Sequence, residues 1–219
     1  MFARALAVCC LIYAVSPAVA GDDTSAVSTV DLYLDAGVNG NAPALASMRK
    51  EADALMQQAG FRIAWRVLGD GARDIAAPNL TILRLDGVCA PAAAGRQITV
   101  PDGLFSLAST SVTDGVVLPY SQIHCTALAG ELEPALAKLP PPIRTAIYGR
   151  AMGRLVAHEL YHVLSHTTDH AAEGVSKPCF TVSDLTAERF AFAGDALAKL
   201  RLAAPEKPAG AGAETAADR

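Results

Sequence analysis

The chain has 219 residues, 52% of them hydrophobic and 18% charged, with a formal net charge of −4. This is the composition of a globular domain without a polyanionic partner. No basic stripe or aromatic ladder suggests nucleic acid, and no apolar segment beyond the N-terminus suggests a membrane.

Residues 1–20 read as a secretory signal peptide. Arg4 supplies a positive start, Ala5 to Val15 an apolar core, and Ala18-Val19-Ala20 a small-residue cleavage site ahead of Gly21-Asp22-Asp23. The apolar run stops at Ser16-Pro17, short of the roughly 20 residues that span a bilayer. A soluble exported protein, secreted or periplasmic, is therefore expected, with residues 21–27 a flexible N-terminus. Cleavage removes only Arg4 among the charges, leaving 17 basic against 22 acidic side chains, a net of −5. It also removes Cys9 and Cys10, so Cys89, Cys125 and Cys179 remain and one thiol is left over. In an oxidising compartment Cys89 with Cys125 is the first choice of pair, joining the ends of two predicted strands; Cys179 could pair with either.

Residues 28–35 alternate, with Val30, Leu32 and Leu34 on one side, and predict a strand. Pro43 opens a helix to Ala59 with Leu45, Met48, Ala52 and Leu55 on one face, and Gly60 ends it. Phe61, Ile63, Trp65 and Val67 alternate in a second strand, and Leu80 to Leu85 forms a third. This β-α-β-β start predicts an α+β domain over residues 28–202: a twisted, mixed sheet partly covered by a helix, with a parallel pair across the crossover. Val116 to Ile123 is strand-like, but Pro119 puts it at an edge or an irregular end. As an edge strand it would hold an extended peptide by strand addition, with Val117, Leu118 and Tyr120 as substrate-binding residues; a plain edge strand is the alternative.

After Pro140-Pro141-Pro142, residues Ile143 to Ser165 run without a proline and predict a long helix. Ile147, Ala151 and Leu155 share a stripe with His158 and His162. Gly149 and Gly153 lower helix propensity and suggest that another backbone packs closely there. The run His158-Glu159-Leu160-Tyr161-His162 is the H-E-x-x-H zinc pattern. On a helix the i, i+4 spacing lets both imidazoles reach one Zn²⁺ and places Glu159 beside its water, so the expected chemistry is metal-assisted hydrolysis.

A third ligand is needed, and His170 is the first choice. It follows the polar stretch Thr167-Thr168-Asp169, where the helix can end and the chain double back, and Gly174 is a further turn signal. His166 is a rival, but it lies roughly 12 Å along the axis from His158 by helical rise, too far for one ion. It reads instead as a residue that supports the ligands or faces substrate. Asp169, Glu173 and Glu188 are weaker rivals, Glu188 on a last helix that Ser183-Asp184 would cap and that would run to about Leu202. Residues 203–219, rich in Ala, Pro and Gly, predict a disordered tail.

From His158 to His170 the chain resembles the active site of a zincin metallopeptidase, metzincin-like in the ligand-bearing turn after the helix. The resemblance implies a zincin-like fold, His158, His162 and His170 as zinc ligands, and Glu159 as general base. It covers about twenty residues. The spacing from second to third histidine is eight rather than the six usual in metzincins, and Met1, Met48, Met56 and Met152 all precede the motif, so there is no Met-turn. The sequence is more similar to small secreted bacterial zincin-like proteins with the longer spacing and a following Gly-Val or Gly-Ile step, here Gly174-Val175. The expected activity is that of a metalloendopeptidase acting on a peptide or protein, the protein being a monomer; Tyr161, His166 and Tyr120 are candidates for oxyanion help. A zinc-binding module without turnover and a hydrolase of a non-peptide amide, such as a cell-wall cross-link, are the alternatives.

Overall fold

The computed structural model describes residues 27–35, 41–68, 79–93 and 106–204. The expected signal peptide, nearly all of residues 21–27 and the tail from residue 205 onward lie outside the described residues. The elements are β1 (Ser28–Asp35), α1 (Ala42–Gln58), β2 (Phe61–Val67), β3 (Leu80–Asp86), β4 (Ala108–Thr113), β5 (Val116–His124), α2 (Cys125–Leu136), α3 (Pro141–Ser165), α4 (Val182–Thr186) and α5 (Gly194–Ala203). No helix among the described residues is long and apolar enough to cross a membrane.

The domain is α+β, with one mixed five-stranded sheet in the order β2-β1-β3-β5-β4. β1 runs parallel to β2 and β3, β3 parallel to β5, and only β4 is antiparallel. The alternation predicted for residues 28–35 and 61–67 turns Val30, Leu32, Leu34, Phe61 and Ile63 into a buried face, joined by Leu83, Leu85 and Ile123. The opposite face is wet, as Arg66 pairing with Asp31 at 3.1 Å shows. The crossover helix α1 is capped by Asn41, whose Oδ1 accepts from Ala44 N at 3.0 Å, and it packs on the buried face.

α3 lies beside α1 and in the same direction, since Gly149 faces Ala44 while Gly153 faces Met48. The close approach expected of these glycines is present. A Cβ on Gly149 would come 2.3 Å from Ala44 O, and one on Gly153 2.6 Å from Met48 O. Backbone against backbone, the two helices leave no room for a methyl group, and α3 is buried almost continuously from Tyr148 to Leu164. The Cys89–Cys125 disulfide forms as expected and fixes the segment after β3 to the start of α2; Cys179 is free and exposed.

Two expectations are corrected. Of the edge or irregular end expected for Val116 to Ile123, the edge is overturned: among the described residues β5 sits between β3 and β4, and β4 is the edge, while Pro119 does fall in an irregular stretch. Pro119 is tolerated because the β4–β5 register slips beside it. Thr110 pairs with Ser121 and Val112 with Val117, so Leu118, Pro119 and Tyr120 stand opposite Ser111 alone, and the β3 ladder begins only at Tyr120. The hairpin turns at Asp114-Gly115, both left-handed with φ of 52° and 79°.

The single last helix expected from Ser183 to Leu202 is also two. α4 starts in a capping box between Thr181 and Asp184 but stops at Thr186. Its last carbonyls are taken by arginines of α3: Arg150 Nη2 donates to Thr186 O at 2.7 Å, and fully buried Arg154 donates to Asp184 O and, at 2.7 Å, to Ala187 O while pairing with Glu51 at 2.8 Å. The chain then runs extended to bridge Phe192 to Gly174 before α5 begins.

Candidate metal centre

His158, Glu159 and His162 are 6%, 4% and 7% exposed, so their polar atoms need partners within the protein. Each imidazole has one for Nδ1. His158 Nδ1 donates to Val175 O at 2.7 Å and His162 Nδ1 to Thr167 O at 2.8 Å. A carbonyl can only accept, so both Nδ1 atoms carry the proton and the neutral rings keep bare lone pairs on Nε2. Burial pushes His158 down to about 4, and burial likewise lowers His162, which keeps both rings neutral near pH 7. The two Nε2 atoms face each other 3.0 Å apart. Two acceptors so placed repel unless a cation lies between them, and two zinc ligands in a tetrahedron would sit about 3.3 Å apart.

The end of α3 delivers the third imidazole. His166 adopts the left-handed conformation, φ 47° and ψ 43°, and the helix closes in a Schellman pattern: Thr167 N donates to His162 O at 3.2 Å and His166 N to Val163 O at 3.4 Å. This reversal turns Thr167 O onto His162 and sends the chain back, so that the His170 ring stacks at 5.3 Å on His158 and lies 4.7 Å from His162. One candidate ligand atom from each of the three rings lies within 4.8 Å of the others. His166, expected to support the ligands or face substrate, is exposed, is not among the residues lining the cleft, and ends the helix.

No protein-family model matches the chain, and no curated protein sequence does either.

The Gly174-Val175 step has a physical reading in the same loop. Val175 N donates to Ala191 O at 3.0 Å, holding the carbonyl that His158 uses. Gly174 has φ 74°, and a Cβ there would lie 2.6 Å from Ala191 O, so only glycine fits. Asp169, beside His170, is tied to Lys199 of α5 at 3.4 Å, an exposed and weak link. Glu173 and Glu188 are exposed; Glu188 lines a separate pocket with Glu51 and Phe190.

Glu159 lies on the same turn. Its Oε2 accepts from Thr110 Oγ1 of β4 at 2.6 Å, and burial raises its carboxyl to about 7 against that bond. A cleft of about 340 Å³ opens here, lined by the three histidines, Glu159, Ser109, Thr110 and Val112 of β4, and Thr167 and Thr168. Of the residues expected to bind substrate, Val117 lines this cleft at 8% exposure. Leu118 and Tyr120 do not: both lie in the slipped stretch of β5, and Tyr120 falls on the face opposite buried Ser121. Tyr161 is buried against His162 and Phe192, away from the cleft.

Thr110 and the whole of β4 escaped the sequence reading. Asp114-Gly115 between Val112-Thr113 and Val116-Val117 was the available signal, because Asp-Gly flanked by β-branched residues marks a two-residue hairpin.

Proposed function

We propose that this is an exported zinc-dependent hydrolase of zincin-like architecture, most simply a metalloendopeptidase. The observation that carries the reading is the pair of buried, neutral imidazoles whose bare Nε2 atoms converge at 3.0 Å, with a third imidazole and a carboxylate on the same cleft. His158, His162 and His170 would hold the ion, a three-histidine donor set that suits zinc and leaves room for a water or substrate oxygen. Zinc bound there would supply Lewis-acid chemistry, easing ionisation of a water and polarising a carbonyl.

The chain's own residues account for the rest. Glu159 accepts the proton of the attacking water and passes it to the leaving amine, a task suited to a carboxyl that burial has lifted to about 7. Val175 O and Thr167 O orient the two imidazoles so that neither must turn during reaction. β4, its Ser109, Thr110 and Val112 on the cleft wall, is the edge strand among the described residues and would offer its outer backbone to an extended peptide. This edge is the observation favouring a peptide over other amides. A held, buried carboxylate beside the histidines argues against a module that only binds metal.

The test uses the mature protein loaded with zinc and a quenched fluorescent peptide library. Hydrolysis is expected, and Glu159→Ala should keep zinc while losing about 10²-fold or more in rate, the usual scale for positioned proton transfer. Equal turnover by Glu159→Ala would remove Glu159 from the mechanism.

A further inference from the structure

Thr110 stands between two polar groups from different elements. Its Oγ1 is 2.6 Å from Glu159 Oε2 on α3 and 2.8 Å from Ser121 Oγ on β5. A threonine hydroxyl has one proton. Glu159 acts as a base in its ionised form, and an ionised carboxylate can only accept; in that form Thr110 gives its proton to Glu159, and Ser121 supplies the proton of the other bond. Ser121 is 1% exposed, and among the described residues its Oγ bonds only Thr110. The direction of the chain is thereby fixed: Ser121 to Thr110 to Glu159.

The backbone holds the chain as firmly as the hydroxyls do. Thr110 and Ser121 are ladder partners, the last pair before the β4–β5 register slips, so their side chains stand side by side on the face that meets α3. With Oε2 engaged by Thr110, Oε1 is the carboxylate oxygen without a protein partner among the described residues.

Resting on the hydrolase reading above, we infer that Thr110 is a positioning residue for Glu159: oriented by Ser121, it holds Oε2 so that Oε1 is the oxygen presented for proton transfer. The carboxylate of the general base is thus aimed by the strand that borders the substrate cleft. It is not aimed by its own helix. The effect belongs to the chemical step, since Thr110 bonds neither the histidines nor, through its hydroxyl, the backbone edge on which a peptide would lie.

The experiment compares Thr110→Val, Thr110→Ser and Ser121→Ala in the zinc-loaded mature protein with the same fluorescent peptides. Valine keeps the β-branched shape that suits a strand but removes the hydroxyl. Thr110→Val should lose about tenfold in kcat, the scale of one hydrogen bond to a charged group, with KM within about twofold and zinc stoichiometry unchanged. Thr110→Ser should recover most of the loss, and Ser121→Ala should lose less than Thr110→Val. Wild-type kcat in Thr110→Val, or a serine variant as slow as the valine one, would overturn the inference. If the wild type cleaves no peptide, the peptidase reading is the one that fails. The crystal structure of Thr110→Val then decides separately: a reoriented Glu159 carboxylate supports the positioning role, and an unmoved one refutes it.

Discussion

The imidazoles and the carboxylate of one helical turn are braced in opposite ways. His162 and His158 are held by backbone carbonyls 5 and 17 residues further along, within the loop that follows the helix. Glu159 is held by a side-chain hydroxyl 49 residues earlier, on a hairpin whose register places it. The loop is a local device built from carbonyls that almost any residue would provide, provided the turns form. The hairpin is a remote device and depends on particular side chains. Metal binding and proton transfer should therefore be separable by mutation.

The largest separation is expected at the ligands. His158→Ala or His162→Ala should abolish zinc binding, read by metal content, while the far-ultraviolet dichroism of a folded domain persists, because the core of sheet, α1 and α3 does not use the imidazoles. His170→Ala should weaken zinc more than His166→Ala or Glu188→Ala. Full occupancy in either of the first two variants would end the metal reading.

Gly174→Ala should act on the loop alone. A Cβ there meets Ala191 O, so the Val175 carbonyl must move away from His158. Zinc affinity is expected to fall about 10- to 100-fold, as for other losses of a ligand's supporting partner, measured by competition with a chelator. Unchanged affinity would mean that the carbonyl does not matter to the site.

His166→Gly should move in the other direction and by less. A left-handed non-glycine residue costs roughly 1–2 kcal/mol, partly offset by the extra freedom glycine gives the unfolded chain. A small rise in melting temperature with unchanged zinc affinity is expected. A large drop in affinity would show that the imidazole of His166, rather than its backbone, serves the site.

The smallest effect concerns Asp184, which anchors the segment after the loop through Lys177 at 2.6 Å and Thr181 N at 2.7 Å. Burial works upward on its carboxyl, but the bonds from Lys177 and Thr181 outweigh it and hold it at about 2, below the ordinary 3.8. A depressed carboxyl stabilises the fold above its ordinary value and loses that contribution as pH falls toward 2. The melting-temperature gap between wild type and Asp184→Asn should therefore be present at pH 5 and close below pH 4. A gap independent of pH would assign the effect to packing.

What could be read from the chain divides along the same line. The motif helix, the fold-back after Ser165 and the contact made by Gly149 and Gly153 follow from spacing or residue type within a short stretch; the Cys89–Cys125 pair, 36 residues apart, is legible from the leftover-thiol count and the predicted strand ends. Pro119 marks an edge or an irregular end; which of the two it is depends on the slip in register with β4, which the local pattern does not record. The division of α4 from α5 depends on Arg150 and Arg154 reaching across from α3 to occupy carbonyls, which no local pattern records. Thr110 is an ordinary strand threonine until the pairing with Ser121 is known.

The three clustered histidines span 13 residues, and with Val175 the whole ligand cradle occupies 18. Such a stretch needs only one helix end and one loop to close, an early and entropically cheap event during folding. The carboxylate, by contrast, finds its hydroxyl only after the hairpin has docked on α3. On the hydrolase reading, the metal-binding geometry is thus complete within one contiguous stretch of chain, while the proton-transfer geometry waits on the docking of the β4–β5 hairpin.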